Sequence, residues 1–150
     1  MSISITSQLE SEYREALEEL LFFNPQQKKV LAGIMNSIEA FGAPFITTNN
    51  NLLRIQVEGL KQVQTLYALA DTDEGAELVG VIIYVRIDLE NVIILHLGVR
   101  EDYSTQGEHG DHMLVIKLVS ELRRSCRRVK DLRYLHLVYG NHGDLTKIRV

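Results

Sequence analysis

Apolar positions along the chain change period once, near residue 44, and that change divides the fold into two kinds of element. In "TSQLESEYREALEELLFF" (residues 6–23), Leu9, Tyr13, Ala16, Leu17, Leu20 and Leu21 recur at helical spacing. Ser7 followed by Glu10 has the form of a capping box, so a helix is expected to start there. Asn24-Pro25 opens a second expected helix, with Val30, Leu31, Ile34, Ile38 and Phe41 on its apolar side. Gly42 and Pro44 end it. Residues 1–44 thus read as a helix pair.

From residue 45 the period falls to two. "FITT", an Asn-rich turn and "LLRIQVEG" predict a hairpin, with Leu53, Ile55 and Val57 alternating against Arg54, Gln56 and Glu58. "QVQTLYALAD", "LVGVIIYVRI" (78–87) and "VIILHLGV" (92–99) follow, separated by the polar turns "TDEGAE" and "DLEN". The last two runs are almost wholly apolar, which predicts central strands covered on both faces. Helical spacing returns over about 111–128, where Met113, Leu114, Ile116, Leu118, Val119, Leu122 and Cys126 form the apolar side. "LRYLHLVYG" (132–140) and "LTKIRV" read as closing strands. The expected architecture is a single α+β domain over residues 1–150, a mostly antiparallel central sheet flanked by helices.

Composition adds bounds. The chain has 150 residues, 45% of them apolar, enough for one domain with a real core. No apolar run is long enough to span a bilayer, so no membrane association is expected. A single cysteine, Cys126, allows no internal disulfide and suits a reduced, cytoplasmic setting. The net charge of −4 argues against a nucleic-acid partner. A basic run from Lys117 to Arg133 reads most simply as a solvated helix end, where cations suit the helix dipole.

The candidate chemistry lies in "STQGEHGDH" (104–112), between the apolar run 92–99 and the helix that follows. A strand, a glycine loop and a helix make an anion site, because the first N–H groups of a helix lack internal partners and carry the positive end of its dipole. Glu108 and Asp111 oppose an anion there, and Asp111 also suits a helix N-cap. His109 and His112 are three apart, but sequence spacing shows no converging ligand set, so no metal is expected. Glu101 and Tyr103 flank the loop, either to bind a substrate or to face water. Cys126 reads as core.

Over about residues 66–140 the chain resembles the GNAT acyltransferases, which use acyl-coenzyme A. The resemblance rests on "ELVGVIIYVRI", on "VIILHLGVREDYSTQGEHGDHMLVIKLVSELRR" and on "LRYLHLVYG". It implies that backbone groups of Leu97, Gly98 and Val99 hold the pantetheine arm and that the loop Gln106, Gly107, Glu108, His109 and Gly110 holds the pyrophosphate. It also implies an N-acetyltransferase acting on a small-molecule or protein amine. The loop is an acidic variant of the family's, and only "NHGDLTKIRV" follows Gly140, where the family usually continues through a helix and hairpin. The alternative is therefore an interaction or regulatory module that keeps the fold without the chemistry.

His96 and Tyr139 are the weak catalytic candidates. His96 lies on the expected central strand, facing opposite to Leu95 and Leu97, either as a base or as a satisfied core histidine. Tyr139 ends the following strand, near the acyl group or simply at the sheet rim. "DLTKIRV" would leave a sheet edge open, and a homodimer closing that edge is the expected assembly.

Overall fold

A computed structural model describes residues 2–22, 38–104, 107, 109–110, 113–137 and 146–150. The fold is α+β, with a large, mainly antiparallel sheet flanked by helices. Nine strands are described: β1 (Ile3–Thr6), β2 (Leu9–Glu10), β3 (Pro44–Asn49), β4 (Leu52–Val57), β5 (Gln64–Thr72), β6 (Gly75–Arg86), β7 (Asn91–Val99), β8 (Tyr134–Leu137) and β9 (Thr146–Arg149). Helices α1 (Arg14–Phe22) and α2 (Leu114–Arg127) accompany them. The larger sheet has the order β1-β5-β6-β7-β8-β9, and the smaller one β2-β4-β3. Pairing is antiparallel throughout except between β7 and β8.

The N-terminal segment corrects the expected helix start. Ile3 and Ile5 alternate with polar residues, and β1 pairs with β5. Leu9 does not belong to a helix but pairs with Leu53. A 3-10 turn, Ser11–Tyr13, then leads into α1 at Arg14. The capping-box pattern at Ser7 is overridden because the neighbouring sheets offer this backbone ladder partners that a short helix end cannot. The second expected helix lies largely outside the described residues, which resume as helix at 38–41.

The hairpin β3–β4 forms as read, with Asn50 and Asn51 both in the left-handed region that a tight two-residue turn requires. The meander β5–β6–β7 also forms as read. Its centre is buried on both faces by two separate clusters. On one face α1 and the small sheet cover Leu78, Val81, Ile83, Ile93 and Leu95. On the other, α2 covers Ala68, Val79, Ile82, Ile94 and Val99 through Leu114, Leu118, Leu122 and Cys126, which lie one turn apart on a single stripe. Gly80 lets α2 approach closely: a Cβ there would sit 3.1 Å from side-chain atoms of both Leu114 and Leu118.

Two irregularities position the functional region. Across β5 and β6 the register slips at Val79, which has no opposite residue. Across β6 and β7 it slips at Leu95, since Ile83 faces His96 while Tyr84 faces Ile94. Each is a bulge, and a bulge puts two successive side chains on one face. His96 therefore shares the α1 face with Leu95, correcting the expected opposition between them; it remains opposite to Leu97.

The basic run at the end of α2 is solvent-facing as expected. Arg124, Arg127 and Arg128 are exposed, and Arg124 pairs with Glu121 at 3.0 Å. Cys126 is buried, and burial raises its thiol pKa, so it is a core residue. No helix among the described residues is long and apolar enough to cross a membrane.

Candidate functional site

The candidate site forms where β7 ends and α2 begins. β7 leaves the sheet at Val99, and the Arg100 N–H donates to the carbonyl of the bulged Val79 at 2.8 Å. A 3-10 turn, Glu101–Tyr103, reverses the chain. The loop then runs back along this turn to Met113, the residue before α2.

An ionic clamp fixes the turn. The Arg100 guanidinium donates from Nε to Asp102 Oδ1 at 2.7 Å and from Nη2 to Asp102 Oδ2 at 2.9 Å. Its third nitrogen, Nη1, reaches Glu77 Oε2 on β6 at 3.2 Å. The guanidinium also lies over the ring of Tyr103, 5.4 Å from its centroid. Arg100 holds the Asp102 carboxyl below the usual carboxylate range. Tyr103 does not face water: it is buried in the α2 cluster, and its ring meets that of His109 with centroids 4.8 Å apart. Neither Asp102 nor Glu77 stands out in sequence, because the clamp exists only once the β6–β7 register brings them together.

Backbone bonds then shape the loop. The Gly107 N–H donates to Ser104 O, His109 N–H to Asp102 O, Gly110 N–H to Gly107 O and Met113 N–H to Gly110 O, at 2.9, 2.6, 3.1 and 3.2 Å. These amides are turned inward onto the chain's own carbonyls. The amides of Leu114, Val115 and Ile116 at the start of α2 are those that helix geometry leaves without intrahelical partners. Met113 enters the helix in the left-handed conformation and caps it with no side-chain hydrogen bond. The loop glycine has a structural reason beyond ligand approach. A Cβ on Gly107 would lie 2.5 Å from the Asp102 carbonyl oxygen and collide with that of Glu101. Gly107→Ala should therefore displace the loop from the turn and lower stability by about 2 kcal/mol, measured by urea unfolding, with faster amide exchange at His109. An unchanged midpoint would show that the loop does not rest on this contact.

The remaining candidates separate. Leu97, Gly98 and Val99 lie together at the end of β7, opposite Ile82, Val81 and Gly80. His109 and Gly110 join them through the loop. Gln106, Glu108, Asp111, His112 and Tyr139 lie outside the described residues. His96 is close in sequence but faces the opposite cluster, beneath α1. Burial lowers its pKa to about 4, opposed by a hydrogen bond to the Leu20 backbone. No cluster of three or more potential metal ligands occurs among the described residues.

No protein-family model matches the chain, and no curated protein matches it in sequence. Among solved structures, an IAA acetyltransferase from Bacillus cereus ATCC 14579 aligns over 91% of this chain with 14% identity and a TM-score of 0.41. The alignment covers 65% of that protein. A likeness this distant leaves the functional reading to the chain's own geometry.

Proposed function

We propose that the chain binds an acyl-coenzyme A across the end of β7 and the start of α2, and that it transfers the acyl group to an amine. The observation that carries this reading is the crossover β7–loop–α2–β8. It contains the one parallel pair among the described strands, at the point where the sheet leaves its antiparallel order. Such a strand–loop–helix crossover sets the carboxyl end of its strand beside a helix N-terminus, where an anion can be held. The first turn of α2 brings a positive dipole end to the same place. In this reading the backbone of Leu97, Gly98 and Val99 aligns the pantetheine arm, and the pyrophosphate sits against the loop and the first turn of α2.

Transfer then needs little covalent chemistry from the protein. The amine attacks the thioester carbonyl directly, held in line by the strand backbone, and N–H donors stabilise the developing oxyanion; the C–S bond then breaks and coenzyme A leaves as a thiolate that takes up a proton from solvent. His96 is a poor candidate for the base. A group with a pKa of about 4 has little affinity for an amine proton, and it lies on the other face of β7. The amine would arrive neutral or lose its proton to water.

One observation favours a second reading, an interaction module without acyl transfer. The described loop amides are already bonded to the loop's own carbonyls, which leaves fewer donors for a pyrophosphate. Thermal unfolding with acetyl-coenzyme A separates the readings. A ligand at 100 times its dissociation constant should stabilise the chain by about 2.7 kcal/mol. Stabilisation together with release of free coenzyme A in the presence of amines supports transfer. Stabilisation without release supports binding alone, and no effect at millimolar ligand favours the interaction module.

A further inference from the structure

We infer that the pocket beneath α1, on the face of β7 away from α2, is a binding site for a compact, uncharged, largely apolar molecule about the size of phenol. The pocket has a volume of about 150 Å³. Leu21, Phe22, Val57, Ile83, Leu95 and His96 are among its lining residues, and among the described residues no carboxylate, lysine or arginine lines it. An engineered apolar cavity of about this size binds benzene. An ion entering it would lose hydration with no counter-charge from the described lining to replace it.

The bulge creates the site's chemistry. Without it, Leu95 and His96 would point to opposite faces; with it, both stand in one wall. The imidazole is thereby the ionisable part of an otherwise apolar lining. It is neutral at physiological pH and bonded to the Leu20 backbone, so its other ring nitrogen can accept from a hydroxyl but offers no charge to an anion. Large apolar side chains rim the opening: Phe22 is 43% exposed and Ile38 37% exposed. Residues 23–37 join them outside the described segment. The inference does not depend on coenzyme A, because the pocket and the α2 junction belong to separate clusters.

The test uses the intact chain and three probes: phenol, toluene and benzylamine, the last a cation at neutral pH. Nuclear magnetic resonance of the His96 imidazole nitrogens reports occupancy directly. Phenol should shift those signals saturably, and toluene should compete with it. Benzylamine should bind at least about tenfold more weakly. Ala43 is exposed and lines the same pocket, so Ala43→Phe fills the mouth without disturbing the core. It should abolish the phenol shift while leaving unfolding cooperative. His96 signals that do not move at millimolar phenol would overturn the inference. So would phenol binding that persists unchanged in Ala43→Phe, which would place the molecule elsewhere.

Discussion

Leu118→Ala lowers the unfolding free energy by about 4 kcal/mol, near the upper part of the range for buried leucines. Leu118 has no exposed surface and sits midway along the α2 stripe, between Leu114 and Leu122. Below it lies Gly80, which has no side chain to move into the space left behind. The sheet cannot close the gap either. β6 is paired on both sides, with β5 and with β7, so its backbone is held in place. Urea unfolding of the variant measures the loss. A cost below about 1 kcal/mol would mean that α2 settles freely on the sheet. The loop between β7 and α2 would then lack a fixed anchor at its helical end. Because α2 carries its own N-terminus, the same substitution should also weaken any anion bound there.

The second large effect concerns pH. Folding lowers the His96 pKa from 6.5 to about 4 through burial. As pH falls through the unfolded value, the unfolded chain takes up a proton that the folded chain refuses. Stability therefore drops between about pH 6.5 and pH 4 and levels off below that, once the folded state also binds the proton. The full loss is about 3 kcal/mol. Asp102 acts in the same sense at lower pH. Its folded pKa is depressed by Arg100, so its contribution is present above the ordinary carboxylate value and fades as pH falls below it. His96→Leu separates the two. Unfolding free energies at pH 7.5 and 4.5 should differ by about 2.5 kcal/mol more in the native chain than in the variant. Equal pH dependence would show that the imidazole reaches water in the folded state.

Much of this fold was legible in the sequence, and the failures have specific causes. The meander β5–β6–β7 could be read because residues 78–99 are apolar enough to demand cover on both faces. The β3–β4 hairpin could be read because adjacent asparagines tolerate a turn that most residues resist. α2 could be read from Leu114, Leu118, Leu122 and Cys126, whereas Met113 and Ile116, read as part of the same apolar side, are exposed because they lie off this stripe. The N-terminal strands could not. Residues 6–23 satisfy a helical period from Leu9 onward, and only the distant partners Leu53 and Tyr67–Ala70 decide that 3–10 is sheet. The orientation of His96 failed for a different reason. A bulge is visible in a pattern only where the two faces differ in polarity, and "VIILHLGV" is apolar on both. For the candidate site, the structural reason for Gly107 was not legible. A glycine between a strand and a helix suggested room for a phosphate, whereas the Cβ it lacks would strike the chain's own carbonyls.

The segment 3–10 contributes one strand to each sheet, β1 beside β5 and β2 beside β4. Ile3 meets Ala70 and Leu9 meets Leu53, so both strands pair with residues far along the chain. Contacts this far apart along the chain slow folding, since a long loop must close before they stabilise anything. During that interval the hairpin β3–β4 and the meander can form from neighbouring residues, but the outer edges of β4 and β5 stay unpaired. Unpaired edges are templates for aggregation. Refolding is thus the stage at which these edges are open to aggregation, until residues 3–10 pair with β5 and β4.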